Sequence, residues 1–280
     1  PFFHCFGCVI GTLCCMVSGT TMAPVVAFDP AEVLRTVKAS GCSVILGVPT
    51  MFIAELEEMD KNGYDTSTLR TGVMAGSLCP MEIMKRVVED MGAHEMSIVY
   101  GQTEASPGIT QTRSEDSLDI RVSTVGRALP NVEVKITDIA TGEEMPPGEQ
   151  GELCARGYNV MKGYYKMPEE TSKAIDDDGW LHTGDLAIMN ENGYCRITGR
   201  IKDMIIRGGE NIYPKEIEEF LYTNEKVRDV QVVGIPSDKY GEEVAAFIQL
   251  NPAVECTEDE IREFCKDQIA YYKIPKYVFF

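Results

Sequence analysis

Residues 43–104 read SVILGVPTMFIAELEEMDKNGYDTSTLRTGVMAGSLCPMEIMKRVVEDMGAHEMSIVYGQTE. Three short apolar runs punctuate this stretch: Ser43 to Val48, Gly72 to Ala75 and Ser97 to Tyr100. Each is too short for a helix and reads as a buried strand. Between them, Thr50 to Met59 and Pro80 to Met91 carry helical patterns, stopped by the Asn62-Gly63 turn and by Gly92. Strand, helix, strand, helix, strand predicts a parallel α/β sheet. Ligands of such sheets bind beyond the carboxyl ends of the strands. Gly76-Ser77 and Gly101 to Glu104 stand at two such ends.

Upstream, Asp29-Pro30 is an N-cap and first-turn pair, and the helix it opens runs from Pro30 to Ala39 and stops at Gly41. From Phe2 to Phe28 there is no Asp, Glu, Lys or Arg. Gly7, Gly11, Ser18, Gly19, Thr20, Thr21 and Pro24 interrupt the run and basic flanks are absent, which disfavours a transmembrane segment. A buried helix followed by a buried strand at Pro24 to Phe28 is expected, with Ser18 to Thr21 as a strand-edge turn. The first residue is Pro1, not Met, and the opening segment lacks a basic n-region, so no signal peptide is read here.

Downstream, from about Val122 to Gly199, short β-like runs alternate with Gly, Pro and Asp turns: Val132 to Ile136, Gly142, Pro146-Pro147-Gly148, then Gly151 to Arg156. This predicts a small β-rich subdomain. After Arg200, a helix starts at Pro214, strands fall at Val227 to Ile235 and Val244 to Leu250, and Thr257 to Ile269 is a helix with a capping box of Thr257 and Glu260. The expected organisation is a large unit over 1–200 (α/β over 1–117, β-rich over 118–200) and a small α+β domain over 201–280.

The 280 residues carry a formal net charge of -18, from 44 acidic and 26 basic side chains. That field repels phosphates, which argues against nucleic-acid or anionic-membrane partners. A phosphate ligand must then be met by local basic groups, backbone N–H groups or a metal ion. The ten cysteines lie mostly in apolar runs, so reduced thiols in a cytoplasmic protein are expected. Cys5 and Cys8 form a CxxC pair with no second pair at ligand spacing, which argues against zinc.

Three islands stand out. Tyr100-Gly101-Gln102-Thr103-Glu104 follows a strand with an aromatic ring, a glycine that permits close approach, a hydroxyl and a carboxylate. Gly179-Trp180-Leu181-His182-Thr183-Gly184-Asp185 ends in an Asp suited to vicinal ribose hydroxyls. Gly199 to Pro214, GRIKDMIIRGGENIYP, concentrates basic residues and two glycines in an acidic chain. Singly, these read as a solvated turn, an Asx turn and a salt-bridged linker. Together and in this order, with Gly151-Glu152-Leu153, Arg156-Gly157 and Gly163-Tyr164-Tyr165, they resemble the adenylate-forming (AMP-binding) superfamily of acyl-CoA synthetases, nonribosomal adenylation domains and beetle luciferases. The stretch RIKDMIIRGGENIYPKEIEEFL looks most like medium- and long-chain fatty acyl-CoA synthetases.

The resemblance implies ATP-dependent activation of a carboxylic acid, then transfer to coenzyme A, with ATP, CoA and Mg²⁺ as ligands. It implies that Tyr100 stacks on adenine, with Gly101 and Gln102 beside it, that Thr103 contacts the α-phosphate and that Glu104 holds Mg²⁺. Gly76 and Ser77 would form the adenine and acyl-pocket loop, and His4 would gate the acyl carboxylate. Asp185 would hold the ribose, with Arg200 beside it. Lys202 would be the hinge, and Gly208 and Gly209 would line the pantetheine tunnel. The family's phosphate loop and its catalytic lysine would lie before Pro1 and after Phe280, so this stretch alone is expected to be inactive and to expose apolar surface. An aryl-CoA ligase, a peptide-synthetase adenylation domain and a non-catalytic AMP-binding scaffold remain alternatives.

Overall fold

A computed structural model describes residues 1–77, 79–252 and 254–280. The chain opens with a wide π-type helix over Phe6–Leu13, which continues as α1 (Cys14–Ser18) and ends at Gly19 in the left-handed conformation. The next elements are α2 (Pro30–Ser40), β1 (Val44–Gly47), α3 (Pro49–Asn62), β2 (Thr71–Ala75), α4 (Met81–Glu89) and β3 (Glu95–Gly101). Then come β4 (Gly108–Gln111), α5 (Leu118–Ser123), β5 (Arg127–Ala128), β6 (Val132–Thr137), β7 (Gln150–Gly157), α6 (Pro168–Ala174), β8 (Leu181–Met189) and β9 (Cys195–Arg200). The last elements are β10 (Ile205–Arg207), β11 (Glu210–Ile212), α7 (Pro214–Leu221), β12 (Val227–Ser237), β13 (Gly241–Leu250), α8 (Glu258–Cys265) and β14 (Tyr277–Phe279). Chain packing gives two compact units. One comprises Pro1–Glu149, Leu153–Thr183 and Ile188–Arg196, and the other Gln150–Glu152, Gly184–Ala187 and Ile197–Phe280.

In the first unit a five-stranded sheet runs β1-β2-β3-β4-β5. β1, β2 and β3 are parallel, in register Ile45↔Gly72 and Val73↔Ser97, as the strand–helix alternation requires. β4 returns antiparallel to β3, with Tyr100 opposite Thr110, and β5 pairs antiparallel to β4, so the sheet is mixed at this side. Its core is built from helix stripes: Leu34 and Val37 of α2, Phe52 and Leu56 of α3, Met84 and Val87 of α4, with Met74 and Met96 from the strands. The three-to-four-residue spacing puts each pair on one helix face. Asp29 caps α2 by accepting from the Glu32 N–H at 2.8 Å, and Gly41 ends it at φ 60°.

The opening segment departs from expectation. It is helical over Phe6–Ser18, but none of those helical residues is buried. Phe3, Met16 and Val17 are largely exposed, and residues 24–28 form no strand, with Val26 fully exposed. An apolar run becomes a buried strand only with a ladder partner and a covering layer, and 24–28 has neither among the described residues. α4 also ends at Glu89, short of Met91, and α8 at Cys265, short of Ile269.

Strands β6 to β9 form a four-stranded sheet in sequence order. In the second unit the sheet order is β11-β10-β13-β12, with β14 parallel to β13. Ile217 and Leu221 of α7, Ile261 and Cys265 of α8 and Val278 of β14 bury together with Val232 and Val244. Thr257 and Glu260 form the capping box of α8, each side chain bonding the other's backbone N–H. All ten cysteines are free thiols. Among the described residues no helix is long and apolar enough to cross a membrane.

Candidate active site

The parallel register pairs Ala75 with Val99. Gly76-Ser77 and Tyr100-Gly101 therefore emerge side by side at the carboxyl edge of β2 and β3. Gly101 is a close-approach position: a Cβ there would lie 1.7 Å from the carbonyl oxygen of Pro107. The Gln102 N–H donates to that same carbonyl at 2.9 Å. This closes a tight turn in which Thr103–Ala105 form one 3₁₀ turn and Ser106 sits at φ 55°. Thr103 and Glu104 are thus carried on a short, braced loop rather than on a free one.

Cys5, the neighbour of His4, comes to the same edge. Cys5 Sγ lies 3.6 Å from Thr103 Oγ1, and the ring Nδ1 of His4 accepts from the Phe6 N–H at 3.1 Å. The sequence-predicted residues Gly76, Ser77, Tyr100, Gly101, Gln102, Thr103 and Glu104 therefore gather at one sheet edge, and His4 stands one residue before Cys5, which meets Thr103 there. Tyr164 joins them without having been assigned a role: its hydroxyl donates to Glu104 Oε1 at 2.7 Å. This hydrogen bond holds the Tyr164 phenol above its ordinary pKa, because the neighbouring carboxylate favours the protonated donor. The motif Gly163-Tyr164-Tyr165 flagged the residue, but a partner sixty residues away is not visible in a linear pattern.

In the second unit, Arg200 Nε donates to Asp185 Oδ1 at 2.7 Å. Asp185 is buried on β8, while the Arg200 side chain at the end of β9 is half exposed. The neighbouring Gly184 N–H donates to Glu152 Oε1 at 2.9 Å, which fixes the backbone beside Asp185. Lys202 lies in the single 3₁₀ turn Ile201–Asp203 that follows β9. Gly208 and Gly209 are the turn of the β10–β11 hairpin. The Gly208 N–H donates to the Tyr240 carbonyl at 2.8 Å, and the Arg207 guanidinium stands 4.5 Å from the Tyr240 ring centre. Tyr240 carried no signal in the sequence that would have tied it to this turn.

The donor chemistry at the first edge suits a hard cation. Glu104 offers carboxylate oxygens next to the Thr103 hydroxyl, and Mg²⁺ is bound through one or two carboxylates completed by substrate phosphates and water. A tyrosine ring, a hydroxyl and a carboxylate on one loop can together stack a base, meet a phosphate and hold its counter-ion.

Residues 1–165 match the family described as AMP-binding enzyme, and residues 216–280 match the AMP-binding enzyme C-terminal domain. The chain is 62% identical over 280 residues to the Bacillus subtilis protein named "Putative acyl-CoA synthetase YngI", covering 100% of this chain and 51% of that protein. It is 45% identical over 281 residues to the Danio rerio protein "Medium-chain acyl-CoA ligase ACSF2, mitochondrial", covering 100% of this chain and 46% of the relative. Among solved structures, ATP-bound MatB from Rhodopseudomonas palustris superposes with a TM-score of 0.91 at 32% identity, over 100% of this chain and 55% of that one. The chain thus spans about half the length of the relatives it matches.

Proposed function

Because this chain belongs to the AMP-binding enzyme family, we propose that it works within an acyl-CoA synthetase, activating a carboxylic acid with ATP and passing the acyl group to coenzyme A. The observation that carries the reading is the gathering of Gly76, Tyr100, Thr103 and Glu104 at the carboxyl edge of one sheet. In the first half-reaction a carboxylate oxygen of the acid attacks the α-phosphorus of ATP and pyrophosphate leaves. In the second the CoA thiol, losing its proton, attacks the acyl carbonyl and AMP leaves. Little covalent chemistry falls to the protein, whose task is to position reactants and neutralise charge.

Tyr100 stacks on the adenine, with Gly76, Ser77, Gly101 and Gln102 forming the loop edges around it. Thr103 donates to the α-phosphate, and His4 stands by the acid's carboxylate. Glu104 holds Mg²⁺, which when bound offsets negative charge on the phosphates. Asp185 accepts from the ribose hydroxyls, its carboxylate held by Arg200. Lys202 is the pivot between a large domain over 1–200 and a small one over 201–280, since two half-reactions at one site need different surroundings. Gly208 and Gly209 line the pantetheine path. A medium- or long-chain fatty acid is the substrate class, supported by the RIKDMIIRGGENIYPKEIEEFL stretch and by the medium-chain ligases among the relatives.

The test is AMP formation from ATP by the longer protein that contains this chain, assayed with and without CoA on acetate, octanoate, palmitate and benzoate. CoA-dependent turnover on octanoate or palmitate supports the reading. Turnover on benzoate alone moves it to aryl acids. Silence on every acid with AMP still bound favours a non-catalytic scaffold.

A further inference from the structure

We propose that Tyr164 is a positioning residue for Glu104, its hydroxyl holding Oε1 so that the other carboxylate oxygen is presented to a divalent cation on the ATP phosphates. The inference rests on the reading of Glu104 as the metal carboxylate. Three contacts build the device. The Tyr164 hydroxyl donates to Glu104 Oε1 at 2.7 Å. The Met161 N–H donates to the Glu104 carbonyl at 2.8 Å, so the two loops are also joined through backbone. The Tyr164 N–H donates to Thr171 Oγ1 at 2.9 Å, and that hydroxyl donates to the Met167 carbonyl at 2.8 Å, which ties the tyrosine to the first turn of α6.

Gly163 is part of the same construction. It sits at φ 141°, and a Cβ there would come within 2.7 Å of the Thr171 side chain. The chain thus turns tightly against α6 just before Tyr164 and brings the phenol back to the 3₁₀ turn of Thr103–Ala105. A free glutamate on a single turn samples several rotamers, and a cation must select one of them at an entropic cost. A hydrogen bond to one oxygen removes that freedom while leaving the second oxygen's lone pairs available. Outer partners of metal ligands act in this way, and their loss typically lowers metal affinity about 10- to 100-fold.

The test uses the longer protein with a non-hydrolysable ATP analogue and Mn²⁺, whose free-ion paramagnetic resonance signal falls on binding. Tyr164→Phe should weaken Mn²⁺ binding about 10- to 100-fold. It should leave metal-free nucleotide affinity and the melting temperature near wild type. Glu104→Gln should weaken Mn²⁺ at least as much, and adding Tyr164→Phe to it should change nothing further. If Glu104→Gln loses Mn²⁺ while Tyr164→Phe binds it normally, the positioning role is wrong and Glu104 keeps its assignment. If Glu104→Gln binds Mn²⁺ like wild type, both assignments fall. If the two losses add, Tyr164 acts on the fold generally and the positioning role is wrong.

Discussion

The Arg200 guanidinium lies 2.7 Å from a carboxylate oxygen of Asp185, whose side chain is only 7% exposed while that of Arg200 is 49% exposed. The buried acid is therefore served from the solvent side. Arg200→Ala removes this cation and should destabilise the chain by about 1–3 kcal/mol, at the lower end because the arginine is half in water. Arg200→Lys keeps the charge but not the planar donor geometry, and should recover only part of the loss. Urea unfolding of the three proteins checks the order. Equal midpoints would remove the pair from any stabilising role.

Glu55 gives a pH signature. Its side chain is 2% exposed on α3, and burial raises its pKa from 4.5 to about 8. Between those values the folded chain keeps a proton that the unfolded chain releases. Stability should therefore fall as pH rises from about 4.5 to about 8 and level off above. Glu55→Gln cannot ionise, so it should flatten this slope and be the more stable protein at the alkaline end, by an amount on the order of a few kcal/mol. Melting temperatures across the window decide it; parallel curves for the two proteins would contradict the buried neutral carboxyl.

Glu243 has the opposite sign. Burial pushes its carboxyl up, but hydrogen bonds from Arg207 at 2.6 Å and Lys276 at 3.2 Å outweigh this and hold it below the ordinary value of 4.5. A depressed acid contributes stability that is present above its unfolded pKa and lost as pH falls through the folded one. The contribution should thus be full above about 4.5 and should fade on acidification below it. Glu243→Gln should lower the melting temperature at neutral pH and converge on wild type in acid. Since Glu243 joins β13 to Arg207 on β10 and to Lys276 just before β14, a change confined to acid pH would count against the reading.

Gly101→Ala tests the close approach at the candidate site. Its Cβ would meet the Pro107 carbonyl oxygen at 1.7 Å, so the turn carrying Thr103 and Glu104 must open. AMP affinity in the longer protein should drop by more than tenfold, about 1.4 kcal/mol or more, with most of the fold retained because the clash is confined to one sheet edge. Unchanged AMP affinity would show that this turn does not shape the nucleotide site.

Much of the fold was legible because its signals are local. Asp29, Pro30 and Gly41 mark both ends of α2, and Thr257 with Glu260 announces α8. The apolar runs at 43–48, 72–75 and 97–100 match β1, β2 and β3, and their alternation with helices is enough to make them parallel. The antiparallel return of β4 was not legible, since pairing direction depends on where the chain goes after Pro107. Nor was it legible that none of residues 2–28 is buried, because composition measures how apolar a segment is and not what lies over it.

The candidate site divides in the same way. By itself the sequence determined which chemical groups are available and in what order: the ring, hydroxyl and carboxylate of Tyr100 to Glu104, the acid at 185, the base at 200 and the glycine pair at 208–209. Those choices are covalent and survive in any conformation. Only the tertiary structure decided which groups meet: Tyr164 on Glu104 across sixty residues, Arg200 on Asp185 across fifteen, Tyr240 beneath the Gly208 turn. Such meetings require that the entropy of closing long loops be offset by packing elsewhere in the chain, so no local pattern encodes them.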